Sequence, residues 1–456
     1  MSDLIVKNGI VVTIDGNRRI IENGAVVVEN GKIVEVDKTE RIMEKYKAEK
    51  VIDAKGRVVL PGFICSHTHL YGTVLRGATL NIQPPTDFTQ NLQRIWWPVD
   101  EALTLEDAYA SALAACLDFL RTGTTLFADT YSGPNSIENS LDYIEKAVRE
   151  VGIRGILAFE ATERHGEEEG ERGLKENIRF IKKVQRDKEK IVMGMISLHA
   201  SFTVSNELML KGKEAADKYN VPVTIHTSEG LGDVYHNLER YGKRTMERMY
   251  DIGFLDKNVV LAHCVNLIDD ELKLLKEKDA KVAHNPMSNM LNAVGVAPIV
   301  KMLEMGIKIG LGNDGYIFDV FENMRSAFLL HKVHHKDPRV ISPMEVLEMA
   351  TIRGAELYGV EKELGSLEAG KYADIVIVDT RRAPTPINAS SVIGHLINTF
   401  SGLDVETVIV NGKILMENRE IKVLDEEKAN EKIRKQMEKL WDKIREIKPQ
   451  IDVKSL

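Results

Sequence analysis

The sequence predicts an α/β protein: a (β/α)8 barrel over residues 58–365, a small β-sandwich built from residues 1–57 and 366–424, and a helical extension over 425–456. Three observations predict it. Short alternating strands with tight turns occupy both ends of the chain, apolar runs alternate with longer amphipathic segments between them, and histidines or acids close several of those runs. The last feature carries weight because barrels of this kind place their reactive groups at the C-terminal ends of the strands.

At the N-terminus, LIVKNGIVVTIDGN, GAVVVENGKIVEVD and KVIDAKGRVV alternate apolar and polar residues between NG and DG turn signals. YADIVIVD and VETVIVNGKILMENREI repeat the alternation near the other end, so both ends are expected to build one β domain. Between them the period changes. Helical patterns such as LEDAYASALAACLDFLRTG and SIENSLDYIEKAVREVG precede the runs TTLFADT and RGILAFE. VVLPGFICSHTH before these, and VMGMISLHA, VPVTIHTS, VVLAHC, KVAHNP and IKIGLGND after them, bring the strand count to about eight. EEKANEKIRKQMEKLWDKIREI then reads as a charged amphipathic helix with a packing or oligomer role.

Composition narrows the function. At 456 residues, one barrel with a smaller companion is the economical division. A net charge of -8 gives no reason to expect nucleic acid or an anionic membrane as partner. The three cysteines, Cys65, Cys116 and Cys264, form no CxxC pair and no disulfide framework, which fits a reducing compartment. No signal peptide and no apolar stretch near the roughly 20 residues of a membrane span is evident. A cytoplasmic protein acting on a small molecule is expected. No G-x-S-x-G elbow, P-loop or G-x-G-x-x-G fingerprint occurs, against serine-hydrolase and nucleotide-dependent chemistry.

In PGFICSHTH, His67 and His69 lie two apart, so both imidazoles face the same way from a strand end. Alone, each is more often a core or surface histidine. His226 in VPVTIHTSEG and Asp314 in IKIGLGNDG close further apolar runs and complete a ligand set for one divalent metal. Such a metal lowers the pKa of bound water from about 15.7 to near 7. Glu229, three residues past His226, is placed to move the water's proton to a ring nitrogen and a leaving group. His263 in VVLAHC is either another ligand or, the favoured role, a hydrogen-bond partner of the hydroxide and developing oxyanion. His199 in SLHASFTVS is a candidate contact for a substrate heteroatom. The loop after His284, with Asn285, Ser288 and Asn289, shapes the site, Asn289 being a candidate substrate contact. His331, His334 and His335 are expected on an exposed helix face, and His165 in a surface loop.

The motifs PGFICSHTH, SLHASFTVS, IHTSEG, LAHCVN, HNPMSNM, GLGNDG and GSLEAGKYADIVIVD resemble, over nearly the whole chain, the amidohydrolase superfamily. Within it they look like the cytosine deaminase-like branch of aminohydrolases and chlorohydrolases. The resemblance implies that His67, His69, His226 and Asp314 bind one zinc or iron ion. It also implies that Glu229 is the acid/base, that His263 assists hydroxide attack and that His199 contacts a heterocycle. Binuclear members carry a carboxylated lysine on the fourth strand; VMGMISLHA has none, which implies a mononuclear site and favours ring deamination over amide-ring opening. LQRIWWPVDEALT resembles the IWP-acidic stretch of methylthioadenosine/S-adenosylhomocysteine deaminases, in which a glutamate binds the ribose hydroxyls. Asp100, with Glu101 beside it, stands at that place. The loop LRGATLNIQPPTDF departs from those enzymes, and PPTDF to WWPVD together with DGYIFDVFENMRSAFLLHK looks closer to the SsnA-type aminohydrolases. The expected reaction is hydrolytic deamination of a purine, pterin or adenosine-like compound. The alternative is chloride or alkylamine displacement from a triazine-like ring. A catalytically silent scaffold is a third reading, opposed by the complete ligand set. A homo-oligomer, dimer or tetramer, would suit the family.

Overall fold

The computed structural model describes residues 2–446 apart from positions 79 and 81, and organises them around two sheets. The barrel strands are β1 (Phe63–Thr68), β2 (Thr124–Tyr131), β3 (Arg154–Ala161) and β4 (Ile196–Ala200). They continue as β5 (Val223–Thr227), β6 (Val259–His263), β7 (Lys281–His284) and β8 (Ile309–Leu311). Neighbours in sequence pair in parallel, and each expected run contributes one barrel strand. β2 and β3 are buried at every residue, as strands covered on both faces must be. Past the last strand, the backbone amides of Asn313 and Asp314 donate to the His67 carbonyl at 3.0 and 3.2 Å. These bonds bring the end of β8 beside the end of β1.

The crossover helices follow local rules. Helix Leu105–Thr122 starts at a capping box between Thr104 and Asp107 and stops at Gly123, whose φ of 88° suits glycine. Helix Glu426–Glu446 lies against it: Gln436 donates to Asp107 at 2.8 Å, and Trp441 Nε1 donates to the Val74 carbonyl at 2.6 Å. The rest of the expected extension, 447–456, lies outside the described residues. Among the described residues no helix is long and apolar enough to cross a membrane.

The second sheet draws on both chain ends. Its path runs from Glu420–Ile421 through Lys413–Glu417, Val405–Val410 and Ile375–Val378 to Val58–Pro61. It continues through Ser2–Val12 and Ile20–Glu29 to Lys32–Lys38, with Ala48–Asp53 beside Ser2–Val12. Leu4, Val6, Val26, Val28, Ile375 and Ile377 share its core. One expectation needs correction. Val58–Pro61, expected in the barrel, pairs antiparallel with Ile375–Val378 and joins the two halves of this sheet. The chain passes between sheets at Gly62, where a Cβ would lie 2.0 Å from Thr125 Oγ1, so only glycine fits.

A buried ion pair fastens the sheets together. Arg154 opens β3 with no exposed surface, and its Nε and Nη2 donate to the Asp374 carboxylate at 2.8 and 3.1 Å. Asp374 also accepts from the Asn411 amide at 2.8 Å, and the guanidinium covers the Tyr372 ring at 4.5 Å. Removing one member strands a buried charge, so Asp374→Ala is expected to lower stability by about 3–5 kcal/mol in denaturant titration. A loss below about 1 kcal/mol, the range of exposed pairs, would contradict this role.

Candidate metal centre and active site

β1, β5 and the turn after β8 bring four expected ligands to one point. His67 and His69 extend from the end of β1, His226 from β5 and Asp314 from the β8 turn, with their ligand atoms all within 4.8 Å of one another. Asp314 Oδ1 is 3.2 Å from His67 Nε2 and 3.0 Å from His69 Nε2, and the Nε2 atoms of His69 and His226 are 3.2 Å apart. Close backbone approach makes this possible: a Cβ on Gly312 would sit 2.7 Å from the His67 carbonyl. Asp314 itself is held at φ 62°, an unusual conformation for a non-glycine residue that is typical of functional sites.

The donor set fits a cation. His69 Nδ1 donates to the Thr130 carbonyl at 2.8 Å, and His226 Nδ1 donates to the His199 carbonyl. With Nδ1 of each ring committed to a carbonyl, the two Nε2 atoms point at one spot 3.2 Å apart, where a positive charge is required: a proton on His69 supplies it, or a bound cation to which both nitrogens would present lone pairs. Burial brings His67 down to about 4 and carries His226 well below the usual histidine range. For His69, burial is outweighed by Glu160 and Asp314, which raise it to about 10. That excess negative charge is what a divalent ion would neutralise.

Glu229 and His263 border the same point. Glu229 Oε2 lies 3.4 Å from His263 Nε2, which is 3.8 Å from Asp314 Oδ1. Burial, reinforced by the Asp314 charge, pushes Glu229 well above the usual carboxyl range. His263 is fully buried and driven toward the neutral form, and its Nδ1 donates to Asn289 Oδ1 at 2.9 Å. Ser228, His263 and Cys264 all adopt positive φ, so the turns carrying these groups are strained and held by their surroundings. The amide of Ser228 donates to Asp233, a buried acid that also accepts from Ser201.

These groups form the floor of a cleft at the C-terminal end of the barrel. Phe88, Trp96, Trp97, Phe202 and Tyr316 supply apolar walls. His199 lines it too, with Nδ1 2.7 Å from Thr203 Oγ1 and its other nitrogen uncommitted. Asp100 faces the cleft while Glu101 is turned outward to His165 at 3.3 Å. Asp100 Oδ2 accepts from Ser132 at 2.9 Å and lies 3.0 Å from Arg164, while Oδ1 is buried without a partner. Burial raises Asp100 to about 6 despite Arg164 beside it.

Two expectations change here. Asn289 lies outside the cleft wall, behind His263; its fully buried amide orients that ring instead of meeting substrate. His331 is fully buried, with Nε2 3.1 Å from His284 Nε2, whereas His334 and His335 are exposed as expected. The helix Val320–His335 turns its first histidine into the barrel wall. Glu160 and Asp129, which no sequence motif singles out, lie beside the same centre. Glu160 accepts from Thr130 Oγ1 at 2.8 Å and lies 3.7 Å from Nδ1 of both His69 and His226. Asp129 accepts from the Leu70 amide at 2.8 Å. Burial raises both acids to about 7. Their signal was present, since RGILAFE and TTLFADT carry these acids at strand ends exactly as the ligand strands carry theirs.

Known proteins agree with this architecture. The chain is 40% identical over 444 residues to a 5′-deoxyadenosine deaminase of Methanosarcina mazei, covering 96% of this chain and 99% of that protein. It is 35% identical over 398 residues to a 5-methylthioadenosine/S-adenosylhomocysteine deaminase of Thermoanaerobacter pseudethanolicus, covering 86% and 90%. An adenosine deaminase from Xanthomonas campestris, solved with bound zinc, shares the fold at a TM-score of 0.88 and 24% identity, covering 98% and 99%. The family model described as Amidohydrolase family matches residues 58–415, and the chain belongs to that family.

Proposed function

We propose that the protein is a hydrolytic deaminase of adenosine-type nucleosides that carry no anionic 5′ group, working with a single divalent ion, zinc. The observation that carries the reading is the convergence of His67, His69, His226 and Asp314, with Glu229 and His263 at its edge. The nucleoside class is supported by the relatives named for 5′-deoxyadenosine and 5-methylthioadenosine.

His67, His69, His226 and Asp314 would hold the ion, which when bound supplies Lewis acidity and a water acidic enough to give hydroxide near pH 7. Glu229 takes the proton of the attacking water. Burial favours its protonated form, so it passes that proton on to the purine nitrogen beside the amino-bearing carbon; it then takes the proton of the newly formed hydroxyl and delivers it to the departing amino group as the carbonyl forms. One carbon–oxygen bond forms, one carbon–nitrogen bond breaks and ammonia leaves. His263, its Nδ1 proton fixed by Asn289, offers Nε2 to orient the attacking water. His199 binds a ring nitrogen, and the unpartnered Oδ1 of Asp100 accepts from a ribose hydroxyl. Asp100, Asp233 and Asp314 line the cleft with no lysine or arginine among its described lining residues, and the one charge beside Asp100, Arg164, is already paired with it, which disfavours a phosphate.

Three outcomes are expected. Treatment with a strong chelator lowers the thermal midpoint and zinc restores it, because a ligand at a thousand times its Kd stabilises by about 4 kcal/mol; an unchanged midpoint would count against a metal centre. Ammonia assays with the zinc-loaded protein show turnover of 5′-deoxyadenosine and methylthioadenosine and none of adenosine 5′-monophosphate; equal turnover of the monophosphate refutes the charge argument. Glu229→Gln keeps the metal but loses activity by at least about 100-fold, the lower range of acid–base contributions. An active Glu229→Gln enzyme would end the proton-transfer assignment.

A further inference from the structure

Asn292, at the C-terminal end of the short helix Pro286–Leu291, has its side-chain amide engaged on both atoms. Its Oδ1 accepts from Asn91 Nδ2 at 2.9 Å and from Tyr316 Oη at 3.1 Å. Its Nδ2 donates to Ser288 Oγ at 3.2 Å and to Glu229 Oε1 at 3.5 Å. The direction of these bonds is fixed by the groups at either end. Trp96 Nε1 can only donate, and does so to Tyr316 Oη at 3.2 Å, which sends the tyrosine proton on to Asn292. Ser288 gives its own proton to Asp314 Oδ2 and therefore accepts from Asn292. Flipping the amide would set donor against donor on one side and acceptor against acceptor on the other.

The partners come from two functional places. Asn91 and Trp96 belong to helix Phe88–Asn91 and the single π turn Leu92–Trp96 that follows it, a distortion often found at functional sites. Phe88, Leu92, Trp96 and Trp97 from this segment wall the cleft. Glu229 lies on its floor. Among the described hydrogen bonds, Asn292 is the side chain that touches both Glu229 and residues of 88–97.

We propose that Asn292 is a positioning residue that ties the 88–97 wall, through Asn91 and the Trp96–Tyr316 pair, to the orientation of the Glu229 carboxylate. The inference rests on the role given to Glu229 above. The tie holds the Glu229 carboxylate in one orientation against the wall that the substrate meets. Such coupling acts on turnover more than on binding.

The test is steady-state kinetics of the full-length zinc-loaded enzyme with 5′-deoxyadenosine, with metal content measured for every variant. Asn292→Ala is expected to lower kcat up to about tenfold, the effect of losing one buried hydrogen bond, with KM changed less than about twofold. Asn91→Ala should lower kcat in the wild-type background and add nothing in the Asn292→Ala background, because the two act in one chain. Additive effects, a loss confined to KM, or a wild-type kcat for Asn292→Ala would overturn the inference. Should Asn292→Ala lose metal or fold poorly, Tyr316→Phe carries the test, since it removes one proton donor and keeps the ring: a reduced kcat supports the inference and an unchanged one overturns it. An inactive Glu229→Gln with an unaffected Asn292→Ala removes only this inference, whereas an active Glu229→Gln removes the reading beneath it.

Discussion

Three imidazole nitrogens and a carboxylate oxygen meet at the end of the barrel, away from bulk water, and the surrounding structure is arranged to keep them there. Left alone, the arrangement is unfavourable: the Nε2 atoms of His69 and His226 face each other at 3.2 Å, Asp314 sits close to the buried acid Glu229, and Glu160 lies behind both rings. Backbone carbonyls at Thr130 and His199 fix the tautomers, and Gly312 lets the turn bearing Asp314 come against the His67 backbone. Positive φ values at Ser228, His263, Cys264 and Asp314 show where the backbone bends to meet this demand. A divalent ion resolves the electrostatics of the whole group at once.

Much of this was legible in the sequence. Strands buried on both faces produce short, nearly continuous apolar runs, and eight of them alternating with helical periods leave few architectures. The ligands were legible because a parallel barrel exposes each strand's C-terminal end on one face, so a polar residue closing an apolar run stands out. The same rule applies to Glu160 and Asp129, but acids are common and neither sits in an HxH-like pattern, so they do not stand out in the sequence.

The misses have physical causes. Val58–Pro61 is as apolar as the barrel strand after it, so nothing in the run VVLPGF marks the change of sheet except Gly62, whose meaning depends on Thr125 from another strand. His331 shares a segment with two exposed histidines, and only the packing of its helix against β7 separates it from them. Asn289 supports His263 from behind, a distinction between touching substrate and orienting a neighbour that needs coordinates. Asn292 could not be singled out at all, because its partners come from positions 91, 229, 288 and 316.

On the proposed function, the cleft above the centre turns a general hydrolytic device toward one class of molecule. Aromatic walls suit a flat heterocycle, an uncommitted Asp100 oxygen suits a sugar hydroxyl, and the run of acids disfavours phosphate. The most direct measurement of the central claim is turnover of 5′-deoxyadenosine in oxygen-18 water, followed by mass spectrometry of the product and assay of released ammonia. The account predicts an intact nucleoside carrying a single heavy oxygen on the purine, with ammonia formed in equal amount. Free adenine, or a deaminated product without the label, would contradict it.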